Sequence, residues 1–537
     1  MTRQARRRGE PVRELTPDEY ARLFRRNALW VALGAVAFAA VYALLAYLKY
    51  RNYDVGRYDL GNMVQAVYNT AHGRFLEITT NDMAPRQMSR LGSHVDPILA
   101  LFALPWLVWP SPVMLLTLQS VIVAAGAWPA YRLGTRVTRD PRAGALLAGA
   151  FLLYPALGYG ALNEFHPVTL ATTFLLFAFL YLEEDRWLWA IPALVLAVLC
   201  KEEIPLVVAF LGAFFALRKR SWRPLLITAA AVVYFVAVVW WVIPHFNEGQ
   251  SAFVSRYAAY GDSAVGVALG VVTQPDQTLS DLFAAGNLRY WWELLWPFAL
   301  APLLSPLTLL VAAPEFVLNG LSSVRFQRSI AFHYTAAEIP FLFAAAVLGL
   351  MRLWRWAGGG FRRPESAMTH EAVRQPTLAL VVLVTALAGN FVLGPLPFNL
   401  PGSQFDGRDY ARRGHTVVLD EALAMIPDGV PISVTNGAGG HVSDRRVIYT
   451  FPYYEGAEWV ITDQTRPFIF DRENRLAYDE ALARVLFDTR YQSVYARDGV
   501  YVFRLIGDGD AQGGASDGDD PAGAASPSPS GDTPAPD

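Results

Sequence analysis

The sequence predicts an α-helical polytopic membrane protein of about eleven transmembrane helices, followed by a small extracytoplasmic C-terminal α/β domain. Three observations carry the prediction. Of 537 residues, 53% are hydrophobic and 17% charged, against about 25% charged in an average soluble protein. Mean hydropathy is +0.26, and apolar runs of about twenty residues, the thickness of a bilayer, recur along the first four hundred positions. Past residue 397 those runs give way to short alternating strand and helix patterns. Together these exclude a disordered chain, a collagen and a typical soluble enzyme. The single cysteine, Cys200, excludes an intrachain disulfide framework, a thiolate zinc cluster and an iron–sulfur site.

Residues 1–27 form a basic segment with Arg3, Arg6, Arg7, Arg8, Arg13, Arg22, Arg25 and Arg26, which places the N-terminus in the cytoplasm by the positive-inside rule. The first span, Asn27 to Leu48, is too long for a signal-peptide core and lacks a small-residue cleavage site. Further spans are expected near 112–131, 143–161, 167–183, 187–200, 204–217, 224–243, 291–304, 306–321, 338–357 and 376–396. With this parity, the arginines at 132, 136, 139 and 142, the basic cluster at 218–223, and Arg352, Arg355, Arg362, Arg363 and Arg374 all fall inside. The apolar stretch 97–110, broken by Pro105 and Pro110, is then re-entrant or interfacial. The membrane domain is thus 28–396, in the plasma membrane, with a first outer loop at 49–95 and further outer stretches at 244–290 and 322–337.

The region 397–506 reads as the α/β domain. Helices are expected at Val417–Ile426 and Tyr478–Phe487, strands at 431–434, 446–451 and 459–463, and a hairpin at 491–505 turning on Asp498-Gly499. Asn436-Gly-Ala-Gly-Gly440 reads as a flexible turn, since it lacks any phosphate-cradle pattern. Residues 507–537, acidic and without Lys or Arg, cannot bury a core and are expected to be disordered.

The first outer loop is the densest source of chemistry. From Tyr58 to Asn69 it places Leu60, Met63, Val64, Val67 and Tyr68 on one helical stripe and Asn62, Gln65 and Asn69 on another, as in a helix lying at the membrane surface. Asp59 is placed either to cap that helix or to act as a general base or metal ligand. Arg51, Arg57, Arg74, Arg86 and Arg90 run against the orientation rule, and an anionic ligand such as a lipid phosphate would account for them as well as solubility would. His94, Glu164 with His166, and Lys201-Glu202-Glu203 put ionisable groups at three separate outer turns, where charge faces a cavity or a partner. Lys201 has carboxylates beside it to pair with. His94 and His166, with Asp59 or Glu164, are candidate ligands for a divalent metal, although no close zincin-type spacing occurs. His333 and Tyr334 form a fourth outer cluster.

The run Arg57-Tyr58-Asp59-Leu60-Gly61 through Asn69, His72-Gly73-Arg74-Phe75, His94-Val-Asp-Pro-Ile98, Glu164-Phe-His-Pro167, Lys201-Glu202-Glu203, His441-Val-Ser-Asp-Arg445 and Tyr449-Thr-Phe-Pro452 resembles an uncharacterised family of bacterial and archaeal membrane proteins, domain of unknown function 2079. It also looks like the wider C-type (GT-C) glycosyltransferase superfamily. That resemblance implies a polyprenyl-phosphate-linked sugar as donor, an extracytoplasmic acceptor (glycan, lipid or protein), and a catalytic carboxylate in the first outer loop. The superfamily often shows an acidic pair there, whereas here Asp59 stands between Tyr58 and Leu60 with Asp54 five residues earlier.

The expectation is an inverting glycosyl transfer, with Asp59, or Asp54 or Glu164 in its place, as base. Arg57, Arg74, Arg90 or Lys201 would meet the phosphate, and His94 and His166 would orient the donor. Glu202, His333 and Tyr334 complete the candidate binding set. Tyr58, Tyr257, Tyr260, Trp291 and Trp292 could stack on sugars. No cofactor beyond a possible divalent metal is indicated, and no nucleic-acid partner. A transporter or flippase of lipid-linked sugar is the second reading, set against it by span centres almost free of charge and no evident repeat. A non-catalytic envelope-binding protein is the third.

Overall fold

The computed structural model describes residues 16–81, 84–247, 252–356, 375–465, 472 and 475–506. The basic segment before Thr16, the arginines at 362, 363 and 374, and the acidic tail lie outside these residues.

The first helix runs unbroken over Pro17–Arg51, longer at both ends than the apolar run alone predicts. Its start is fixed by a capping box, Thr16 accepting from the Glu19 amide while Glu19 reaches back to the Thr16 amide. Lys49 and Arg51 in the last turn suit the negative end of the helix dipole. Leu29, Trp30 and Val36 stay more than half exposed, as lipid-facing side chains do.

Among the described residues five helices are long and apolar enough to cross a membrane: Pro17–Arg51, Pro112–Thr138, Leu225–Asn247, Ile339–Trp356 and Pro376–Leu393. Pro141–Leu152 and Pro155–Leu162, bent by 50° at Pro155, make a sixth if taken as one span. The helices Pro167–Glu183, Trp187–Val198 and Pro306–Leu321 are apolar but shorter. The stretch expected at 291–304 is no regular helix: it breaks after Leu295, where Ala299 and Leu300 take left-handed backbone. Leu99–Trp106 has only 8 residues, about 12 Å of helix, well short of a bilayer core of about 30 Å. The stretch 244–290, expected to lie outside the membrane, contains an unforeseen apolar helix, Ala264–Thr273, whose Leu269 and Val272 are exposed.

Within the first loop, β1 (Glu77–Thr79) and β2 (Gln87–Ser89) pair antiparallel. The C-terminal region is a five-stranded sheet of β3 (Ile432–Val434), β4 (Ile448–Thr450), β5 (Trp459–Asp463), β6 (Tyr491–Arg497) and β7 (Val500–Leu505), in the order β4-β3-β5-β7-β6. The first three strands are parallel, and β7 runs antiparallel to β5 and β6. Helices Gly414–Leu423 and Arg475–Phe487 cover it. Asp498 and Gly499 both take positive φ, as a tight hairpin turn requires.

Asn436–Gly439, expected to be a flexible turn, is one helical turn after β3, and it is a packing surface. The first loop lies against it so closely that a Cβ on Gly439 would stand 2.4 Å from the Arg57 Cβ, and one on Gly440 2.8 Å from Val55. The Asn436 side chain accepts from the Tyr58 amide at 2.9 Å. His441 is sandwiched between Tyr50 and Tyr53, with ring centroids at 4.1 and 3.9 Å. In an open parallel sheet, ligands bind in the crevice past the strand ends where strand order reverses. Here the first loop fills that place beyond β3. Gly439→Ala is therefore expected to cost about 1–3 kcal/mol by overpacking, read as a lower Tm of the full-length protein in detergent; an unchanged Tm would show that the contact is loose.

Candidate functional site

A cavity of about 750 Å³ opens where the first loop, the turn 163–168, Cys200-Lys201 and the segment around His333 meet. Of the sequence-derived candidates, Asp59, Arg90, His94, Glu164, His166, Lys201, His333 and Tyr334 line it. Arg57, Arg74, Asp54 and Glu202 do not.

The reason lies in the helix Asn62–Ala71. The sequence reads it as a surface helix with a wet polar stripe, but Asn62, Gln65 and Asn69 are all buried. Each amide takes one of the loop's arginines: Arg90 donates to Asn62 at 3.0 Å, Arg57 to Gln65 at 2.8 Å and Arg74 to Asn69 at 2.9 Å. Three of the five anomalous arginines thus have an internal explanation. Arg57, fully buried, also donates to the carbonyls of Thr79 and Ile448, joining loop and sheet. Asp54 pairs with Lys49 at 3.0 Å, and Arg74 lies near Glu77 at 3.8 Å.

Asp59 does not cap the helix. Arg57–Gly61 forms a π-type turn entered from Gly56, which carries the Asp59 side chain to the cavity, where it remains 46% exposed. His166 Nε2 lies 3.4 Å from Asp59 Oδ1 and has no hydrogen-bond partner. The ring is fixed by its other nitrogen, Nδ1, against the Asn163 carbonyl at 2.9 Å, and by stacking on His333 with centroids 3.6 Å apart. Gln119 buttresses the turn, accepting from the His166 amide and donating to the Glu164 carbonyl.

Glu164, with left-handed backbone, is buried, and its carboxyl oxygens accept from the amides of Gly56 at 3.1 Å and Leu60 at 2.8 Å. It holds the Asp59 turn in place. Burial, followed by the Asp59 charge, pushes the Glu164 carboxyl up to about 8, against the pull of those amides. Burial also acts to raise Asp59, but the neighbouring His166 ring outweighs it and, with the charge of Arg90, holds Asp59 below its usual range. One negative charge therefore sits on the pair, and it sits on Asp59.

The cations are already engaged. Arg90 grips Asp96 bidentately, with contacts of 2.7 and 2.9 Å. Lys201 pairs with Glu203 at 2.6 Å; burial draws its ammonium down, but Glu203 and Glu202 together hold it up. Glu202, expected to meet substrate, instead accepts from the Val95 amide at 3.0 Å and pairs with His94 at 2.8 Å; burial pushes its carboxyl up, but His94 and then Lys201 outweigh that and hold it at about 2. His333 is kept neutral by burial and by the neighbouring cations. No group of three or more His, Cys, Asp or Glu able to hold a metal occurs among the described residues, and His94 turns to Glu202 instead of joining His166.

The sequence reading missed Arg256 and Asn247, which reach the cavity from the 244–290 stretch, and Phe326 and Phe332. Tyr58 lines the cavity, whereas Tyr257, Tyr260, Trp291 and Trp292 do not; Tyr260 bonds Asp281 instead.

A helical membrane protein with a charged cavity lined by its first loop, and a small α/β sheet packed against that same loop, is the class these features define. The chain matches the family described as predicted membrane protein (DUF2079) over residues 49–502, and it belongs to that family. A comparison with curated proteins returned no match.

The carboxyl pair yields a pH prediction. A Glu164 pKa raised from 4.5 to about 8 contributes stability that is full below pH 4.5 and is lost as pH rises through about 8. Glu164→Gln removes that dependence, so the wild-type Tm should fall relative to the variant between about pH 5 and 8. Parallel curves would place the proton elsewhere.

Proposed function

We propose that this protein transfers a sugar from a polyprenyl-phosphate donor to an extracytoplasmic acceptor, with inversion at the anomeric carbon. The observation that carries the reading is Asp59: a carboxylate held ionised and open to a cavity of about 750 Å³ beside Arg90, Lys201 and Arg256. Small-molecule sites typically occupy about 300–1,000 Å³. The acceptor hydroxyl oxygen forms a bond to the anomeric carbon while the bond from that carbon to the phosphate oxygen breaks. The hydroxyl proton passes to Asp59, and the lipid phosphate leaves with the electron pair. Arg90, Lys201 and Arg256 face the charge that develops on it, the larger electrostatic contribution. His166 orients Asp59, and Glu164 fixes the turn that presents it.

In this reading the fold is GT-C-like with eleven spans, the shorter apolar helices tilted or bent, in the plasma membrane. The N-terminus is cytoplasmic; the first loop and the sheet are extracytoplasmic. The arginine clusters between spans and the contact of loop with sheet support that arrangement.

Asp59→Asn should lower transfer by about 10²–10⁴-fold, the usual range for a lost general base, with expression and Tm retained. Mass spectrometry of envelope glycans and lipid-linked sugars, comparing a deletion strain complemented with wild type or variant, reads it. Full complementation by Asp59→Asn would sink the assignment.

One observation favours a second reading, transport of a lipid-linked sugar. Glu315 and Glu338 are buried among the helices, Glu338 bonded to Tyr290 and Asn319, and an oxygen of Glu315 has no partner. Intramembrane acids mark translocation paths. Transport predicts that Glu315→Gln abolishes lipid-linked-sugar flipping in proteoliposomes and that Asp59→Asn does not; the reverse pattern supports transfer.

A further inference from the structure

Beside the main cavity lies a second, of about 270 Å³, and Asn163 and Phe332 line both. Its outer wall is the segment between the last apolar helix and the C-terminal sheet. There Phe405 and Tyr410 stack with centroids 5.1 Å apart and ring planes at 14°. Gln404, Asp406 and Asp409 bring acceptors and an amide donor to the same space, and Lys49 closes it from the end of the first helix.

We propose that this second cavity is a saccharide subsite that seats the sugar ring of the acceptor, which makes the acceptor a carbohydrate. This deepens the transfer reading and rests on it. Flat aromatic surface beside planar carboxyl and amide groups matches a pyranose, which has an apolar C–H face and a rim of hydroxyls that both donate and accept. The other ligand classes fit poorly. Two carboxylates disfavour a phosphate or nucleotide, and the Lys49 charge is already met by Asp54 at 3.0 Å. An acyl chain would lay apolar surface against those carboxylates, whose partners are the exposed cations Arg408 and Arg413.

The dividing wall argues for the acceptor in particular. Asn163 holds the His166 ring through its carbonyl and precedes Glu164 in sequence, while Phe332 precedes the stacked His333. A ring seated on one side of this wall directs a hydroxyl toward the groups on the other side. The volume suits one ring, with the remainder of a longer glycan lying outside.

The test uses full-length protein in detergent and saturation-transfer NMR with maltose, cellobiose, α-1,6-mannobiose and β-1,4-galactobiose as probes. At least one disaccharide should receive saturation from the wild type. Tyr410→Ala and Asp409→Asn should weaken it by at least about fivefold, the size of one lost stacking contact or charged hydrogen bond. Tyr410→Phe, which keeps the ring, and Asp59→Asn, which acts in the other cavity, should retain it. A matching Tm qualifies each variant, and Asp409→Asn stands in if Tyr410→Ala unfolds. No saturation of any probe by the wild type, or binding that survives both Tyr410→Ala and Asp409→Asn, overturns the subsite. Failure of the transfer reading is separate: it shows as an unchanged lipid-linked-sugar profile in Asp59→Asn, whatever the disaccharides do.

Discussion

A buried carboxyl group accepting two main-chain amides organises this molecule. Glu164 leaves a helix end in left-handed backbone and meets the amides of Gly56 and Leu60, which otherwise would be unpaired donors inside the protein. That contact ties the turn between two apolar helices, Pro155–Leu162 and Pro167–Glu183, to the first loop. The loop in turn presses Val55 and Arg57 against the glycines after β3. Removing the carboxyl would orphan both amides and free the π-type turn that presents Asp59. Fold and site therefore share one fastening.

The same economy governs the rest of the loop. Gln65 alone meets Arg57, Thr79 and the Arg446 carbonyl, so a single side chain joins the loop helix, the small hairpin and the C-terminal sheet. Thr79 continues the seam, accepting from the Ile448 amide on the outer edge of β4. An uncovered edge strand invites pairing with other chains; the first loop covers this one with side chains. The seam leaves Arg57 Nε and Nη1 without partners, yet any slip would unpair its remaining groups, so it specifies one arrangement.

Much of this was legible in the sequence, and the rest failed for definite reasons. The hairpin turn at Asp498-Gly499 and the strands at 432–434 and 459–463 follow from local pattern. The residues of the cavity wall showed themselves as ionisable groups where an apolar chain should have none. Local pattern misjudged Asn62, Gln65 and Asn69, since a polar stripe facing arginines of its own loop reads the same as one facing water. It misjudged Gly439 and Gly440 because their requirement comes from Arg57 and Val55, nearly four hundred residues earlier. Glu315 passed unnoticed inside a run taken as a span. Arg256 carried no signal at all: nothing near it in sequence is a motif, and only the path of the chain delivers it to the cavity.

In the proposed transfer reading, the pairing of Arg90 and Lys201 looks at first like a disadvantage for a site that receives a phosphate. It is what leaves Asp59 available. An unpaired Arg90 or Lys201 lining the same cavity would be drawn toward that carboxylate. The base would then be lost in a salt bridge. Asp96 and Glu203 remove that option by holding the two cations through short contacts of 2.7 and 2.6 Å. Neutral Glu164 spares Asp59 a second anion beside it, and His166 approaches to only 3.4 Å. Held this way, Arg90 and Lys201 act as fixed donors whose positions do not change when a phosphate arrives, so little reorganisation opposes the developing charge. In that reading the affinity sacrificed is small, because a lipid-linked donor is confined to the bilayer and local concentration replaces binding energy. A site supplied from the membrane can spend its electrostatics on the transition state instead of on capture.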